Sequence, residues 1–129
     1  MKVGIVGLGL IGGSMAKAVK NRTAHTVFGI DLDDETMALG RMSGAIDAPL
    51  TAETLPQCDL IMIAIRPGAA IRWVEENAPL IAKKAILVDL CGVKREVVKA
   101  IAPIAASHGF AYIGGHPRDE EADPPAHYH

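Results

Sequence analysis

Cysteine is scarce in this chain: Cys58 and Cys91 are the only two among 129 residues. Two thiols make no disulfide framework, and no Cys/His spacing suits zinc. His127 and His129 have no partner ligands beside them, so no metal site is expected. Aromatic residues are equally few, at 4%, and no arginine–aromatic interleaving marks a nucleic-acid surface. Charge of one sign is missing too. The net charge of −2 supplies no basic field for nucleic acid. The longest unbroken apolar run, Leu60 to Ile65, falls far short of the ~20 residues a membrane helix needs. No charged-then-apolar leader precedes the first strand-like run, so a cytoplasmic protein with reduced thiols is expected.

What is present is aliphatic. Half the residues are apolar, enough for a core in one domain of the common size of about 100–150 residues. Strand-like and helix-like segments alternate, which predicts an α/β fold: a parallel sheet of about six strands, doubly wound, with helices on both faces. The strands are expected at Val3 to Val6, Thr26 to Ile30, Ala45 to Ala48, Leu60 to Ile65, Ile86 to Leu90 and Phe110 to Ile113. Ile11, Met15, Ala18 and Val19 predict the buried stripe of a first helix, and a polar helix follows over Asp34 to Met42. Ala70, Ile71, Val74 and Ala78 mark a third, with Glu75 and Glu76 on its wet side. Val93, Val97 and Ile101 mark a fourth, which Pro103 should end or kink. Residues 1–117 form the expected domain. Residues 118–129 are acidic, contain two consecutive prolines and have almost nothing to bury, so a mobile tail is expected.

Gly7-Leu8-Gly9-Leu10-Ile11-Gly12 sits between the first strand and the first helix. This is the Rossmann-type dinucleotide fingerprint. Gly7 allows a sharp turn, Gly9 a close backbone approach to a pyrophosphate, and Gly12 tight packing of helix on strand. The helix N-terminus offers N–H groups and partial positive charge to phosphates. Asp31 follows Gly7 by 24 positions, near the offset of roughly 20 for a carboxylate that binds the ribose hydroxyls. A carboxylate there repels a 2′-phosphate, so NAD is expected over NADP. The competing reading has Asp31 cap the next helix, a task Asp33 or Asp34 could perform instead.

Ligands of open parallel sheets bind beyond the carboxyl ends of the strands. Those ends carry Arg66-Pro67-Gly68, Asp89 to Lys94 and Gly114-Gly115-His116-Pro117. His116 is the histidine at such an end, and an ordinary pKa near ~6.5 suits it to accept a proton. Arg66 either lines the cofactor pocket or faces solvent, and Lys94 is either a site residue or a solvated first-turn lysine. Cys91 reads more readily as a small packing residue than as a redox thiol.

Gly4 to Ser14, Val88-Asp89-Leu90-Cys91-Gly92-Val93-Lys94 and Ile113-Gly114-Gly115-His116-Pro117 together resemble the prephenate/arogenate dehydrogenase family of tyrosine biosynthesis. The resemblance covers residues 1 to about 117. It implies NAD-dependent oxidative decarboxylation of prephenate (to 4-hydroxyphenylpyruvate) or of arogenate. It also implies that His116 hydrogen-bonds the ring hydroxyl and helps remove its proton. Cys91 and Gly92 would lie beside the nicotinamide, with Lys94 and Gly115 on the substrate side. Three departures stand out. Gly92 occupies the place where many family members have serine, Arg118 begins an acidic tail after His-Pro, and the family's helical substrate and dimerisation domain is not matched. A chain of incomplete catalytic machinery is therefore expected, as a homodimer or with a partner chain that supplies the helical domain. Two other readings stand beside it: a stand-alone, non-catalytic NAD-binding module, and a small hydroxy-acid or imine reductase of the same fold.

Overall fold

The computed structural model describes residues 1–22, 25–90 and 95–114, with the side chains of Leu10, Ile11 and Arg22 left aside. Six strands form one parallel sheet: β1 (Lys2–Val6), β2 (Thr26–Ile30), β3 (Ala48–Pro49), β4 (Leu60–Ile63), β5 (Ile86–Asp89) and β6 (Ala111–Ile113). Their order is β3-β2-β1-β4-β5-β6, and every pairing is parallel. The connection therefore reverses direction between β1 and β4, which makes their carboxyl ends the topological switch point. Four α-helices join the strands: α1 (Leu10–Arg22), α2 (Asp34–Met42), α3 (Pro67–Asn77) and α4 (Arg95–His108).

Alternation along the strands separates two cores. Val3 and Ile5 of β1 and Met62 of β4 point to the face that carries α1, where they meet Ala16. Val6, Ile61, Ile63 and Leu87 point to the opposite face, against Ala70 and Val74 of α3 and Val97 and Ile101 of α4. Central strands buried on both faces account for the unbroken apolar run at Leu60. Cys58 is fully buried within the second core, and burial pushes its thiol up to about 11. It packs as a small hydrophobe. Beyond α1 the described residues cover the sheet thinly, and Ile86 and Ile113 are 39% and 55% exposed.

Where the elements depart from expectation, backbone hydrogen bonding explains why. Residues 45–46 are not strand, because Ala45 and Ile46 both donate their N–H groups to Gly40 O, at 3.0 and 3.2 Å. They wrap the end of α2 after Gly44 turns the chain at a φ of 77°. Pairing with β2 resumes at Asp47, whose N–H reaches Val27 O at 2.7 Å. Phe110 likewise donates to Ala105 O and closes α4 rather than opening β6. Pro103 does not end α4, which runs through it to His108. The proline is exposed, so water can satisfy the carbonyl that its missing N–H leaves behind. Among the described side chains, the buried stripe of α1 is Gly12 and Ala16, with Met15 and Val19 at its margin and Ala18 exposed; that of Ile11 lies outside them. Two small residues one turn apart bring this helix closer to the sheet than an aliphatic stripe would.

Candidate functional site

The glycine loop crosses the carboxyl end of β1 at the switch point. Gly7 takes a φ of +95°, and a Cβ on it would stand 2.5 Å from Ala64 O. A Cβ on Gly12 would stand 1.8 Å from Gly7 O, which is impossible unless α1 moves off the strand. Gly9 differs from both: a Cβ there would meet nothing within 4 Å. Packing among the described residues therefore gives no reason for glycine at position 9. The open space over it is what a closely approaching ligand needs.

Asp31, just past β2, is tied to this loop. Its Oδ2 accepts the N–H of Leu8 at 2.7 Å, and its Oδ1 accepts the N–H of Asp33 at 2.9 Å. The helix-capping alternative for Asp31 does not hold. Asp33 is the N-cap of α2, accepting from Thr36 N at 3.1 Å and Thr36 Oγ1 at 2.6 Å. Those hydrogen bonds hold the Asp33 carboxyl below its ordinary pKa. The two helix starts are thus electrically unlike. Asp33, Asp34 and Glu35 surround the first turn of α2, whereas the first turn of α1 carries no acid. Its partial positive charge stays free for an anion.

A cavity of about 260 Å3 opens beside Asp31, between the ends of β1 and β2 and helix α3. That is just under the roughly 300–1,000 Å3 of whole small-molecule sites, so it suits one end of an extended ligand. Gly7, Asp31 and Leu32 form one side, and Ala69, Arg72 and Trp73 the other. A wider hollow of about 450 Å3 lies between α1 and α2 and touches Leu8 and Gly9, which do not line the first. It sits off the strand ends, so the switch-point rule favours the first.

The structure therefore brings Gly7, Leu8, Gly9, Gly12 and Asp31 together, with Leu10 and Ile11 in the first turn of α1. Arg66 is exposed at the residue before α3 and is not among the cavity's walls. Arg72, six positions on, is. Glu76, expected only on a wet face, is exposed but also lines the cavity. Sequence reasoning missed Leu32, Ile65 and the α3 residues. The available signal was the spacing of Ala69, Arg72, Trp73 and Glu76, a second helical stripe beside the buried one. Cys91, Gly92, Lys94, Gly115 and His116 lie outside the described residues.

The carboxyl ends of β5 and β6 complete the described part of the crevice. Asp89, the last residue of β5, is only 4% exposed. The Tyr112 hydroxyl is buried with no hydrogen-bond partner among the described residues. Burial first, and then the Asp89 charge, push it up to about 12. A Cβ on Gly114 would stand 3.4 Å from that hydroxyl.

Comparison with known proteins agrees with this architecture. The prephenate dehydrogenase nucleotide-binding domain family matches residues 15–118, beginning just after the glycine loop. A prephenate dehydrogenase of Bacillus subtilis (strain 168) is 31% identical over 117 residues, covering 88% of this chain and 31% of that protein. Synechocystis arogenate dehydrogenase superposes with a TM-score of 0.79 at 26% identity, over 91% of this chain and 41% of that one. The prephenate dehydrogenase of A. aeolicus, solved with hydroxyphenyl propionate and NAD+, superposes with a TM-score of 0.78 at 24% identity, over 92% and 42%. The chain spans about a third of the length of the curated relatives it matches. With its sheet order, its loop and the family match over most of its length, the chain belongs to the prephenate dehydrogenase family, as a nucleotide-binding domain.

Proposed function

We propose that this chain binds NAD along the carboxyl ends of β1 and β2 and serves as the cofactor-holding part of a prephenate dehydrogenase-like oxidoreductase. The observation that carries the reading is the hydrogen bond from Leu8 N to Asp31 Oδ2 at 2.7 Å. It joins the ribose-binding carboxylate to the phosphate-binding loop as one rigid piece. Each Asp31 oxygen spends one lone pair on the backbone and keeps capacity for a ribose hydroxyl. The open space over Gly9 fits a pyrophosphate, and the acid-free start of α1 faces it. Asp33, Asp34 and Glu35 stand beside Asp31. They add to the repulsion of a 2′-phosphate and favour NAD over NADP.

Bound at this site, NAD supplies the hydride acceptor for oxidation of the ring carbon that bears the substrate hydroxyl. The chain's own residues hold and orient it. His116, in the Gly-Gly-His-Pro element, takes the role of hydroxyl proton acceptor in this proposal, with Lys94 and Gly115 beside the substrate. Cys91 and Gly92 are assigned to the nicotinamide side. The substrate proposed is prephenate or arogenate, and the setting tyrosine biosynthesis in the cytoplasm. Supporting this are the family match and the position of Asp89, at the head of the Asp89 to Lys94 element, next to the switch-point strands.

Binding is the direct test. NAD at a hundred-fold excess over its Kd stabilises a folded domain by about 2.7 kcal/mol, and NADP at the same concentration should stabilise much less. Asp31→Ala should weaken NAD by about tenfold or more and bring NADP level with it. Equal stabilisation of the natural chain by both cofactors would refute the ribose assignment.

A further inference from the structure

The cavity beside Asp31 has a wall whose chemistry changes along its length. Ala69, Arg72, Trp73 and Glu76 stand at i, i+3, i+4 and i+7 of α3. At ~1.5 Å per residue this stripe is about 10 Å long. Its small residue is nearest the start of the helix, a flat cation and an indole follow, and a carboxylate ends it. Opposite stands Leu32, 98% exposed on the cavity rim. A leucine so fully hydrated next to an apolar hollow gains from a flat ligand laid over it.

Arg72 and Glu76 are one turn apart, the spacing of a helical ion pair, yet they form none among the described residues. The Arg72 guanidinium instead folds toward the start of α3, with Nη1 only 3.7 Å from where a Gly68 Cβ would stand. Glu76 is left exposed at the cavity, with no hydrogen bond among the described residues. A carboxylate accepts hydrogen bonds and donates none. Asp31, Leu32, the α3 stripe and Glu76 line one cavity, so a base joined to a ribose at Asp31 has room between Leu32 and α3, with Glu76 on the same lining. Adenine carries an exocyclic amine, a donor, on the six-membered ring. A 6-oxopurine carries a carbonyl oxygen there, which a carboxylate repels, and its nearest donor, the N1–H, lies one ring position away.

Resting on the NAD reading above, we propose that Glu76 is a base-specificity residue. It accepts a hydrogen bond from the exocyclic amine of adenine and discriminates against 6-oxopurine dinucleotides. A hydrogen-bonding site rejects a ligand with the wrong group more strongly than a hydrophobic slot does.

The test titrates the full chain with NAD and with nicotinamide hypoxanthine dinucleotide, following calorimetric heat and the emission of Trp73, the only tryptophan. The natural chain should bind NAD about tenfold more tightly than the hypoxanthine analogue. Glu76→Gln, whose amide both accepts and donates, should keep NAD binding but reduce the preference to about twofold or less. Equal binding of the two dinucleotides by the natural chain overturns the assignment. So does an unchanged preference in Glu76→Gln. If neither dinucleotide binds the natural chain, the NAD reading itself falls and takes this assignment with it. A natural chain that binds NAD but does not discriminate counts against Glu76 alone and leaves the NAD reading standing.

Discussion

The two halves of the sheet are built on different terms. In β1-α1-β2, loop, helix and carboxylate are locked by contacts among neighbours: Gly12 against Gly7 O, Asp31 on Leu8 N, and Gly7 N on Ile30 O at 2.7 Å. In β5-α4-β6 the described residues are not so closed. The Tyr112 hydroxyl has no partner among the described residues, and Ile113 is more than half exposed. The first half closes on itself, as the proposed cofactor cradle requires. In the second, the described residues leave a buried hydroxyl without a partner and an apolar side chain exposed.

The strongest way to break the first half is Gly12→Ala. A methyl placed 1.8 Å from Gly7 O must push α1 off β1, at a cost of about 1–3 kcal/mol or more, the range for overpacking. Urea unfolding should show the loss, and NAD binding should vanish with it. A milder result would mean that α1 slides easily and that the cradle is less rigid than these contacts imply.

Gly9→Ala sharpens the same comparison from the other side. Its methyl enters open space, so stability should stay within about 0.5 kcal/mol of the natural chain. NAD affinity should nevertheless fall by about tenfold or more as the methyl meets the pyrophosphate. A variant that unfolds, or one that binds NAD normally, would remove Gly9 from the site. Together the two alanines separate a glycine needed by the fold from one needed by the ligand.

The pattern of legibility follows the same division. Position 31 could be read from the sequence because the elements that join it to Gly7 are short-range and their spacing is set by one βαβ unit. Strand β2 and helix α2 were placed to the residue for a similar reason: Thr26 to Ile30 is rich in strand formers, and Asp33 and Asp34 offer a cap just ahead of a polar helix. Residues 45–46 defeated the pattern because two apolar residues look alike in a strand and in the wrap of a helix end. Only the capture of their N–H groups by Gly40 O distinguishes the cases. The α3 wall was missed because its spacing also serves a buried stripe one position away, Ala70 and Val74. The Asp89 to Lys94 and Gly114 to Pro117 elements were marked by their place at strand ends, but a substrate for them came only through family resemblance. Nothing local in them specifies a partner.

The smallest expected effect probes the second half. Tyr112→Phe removes a buried hydroxyl that has no partner among the described residues, so stability should be unchanged or rise by up to about 1 kcal/mol. A clear loss in urea unfolding would show that the hydroxyl is satisfied after all, and that this end of the sheet is as closed as the other.

The shortness of β3 has a bearing on how the molecule behaves in a crowd. The outer edge of a sheet is a template on which foreign strands can add, and long, flat, apolar edges seed aggregates. Here that edge lasts two residues, Ala48 and Pro49, and the proline offers no N–H for a newcomer to bond. The chain carries its proposed cofactor site close to a rim that discourages strand-by-strand growth. Contacts with other molecules are thereby steered to side-chain surfaces, where shape and charge can select among them.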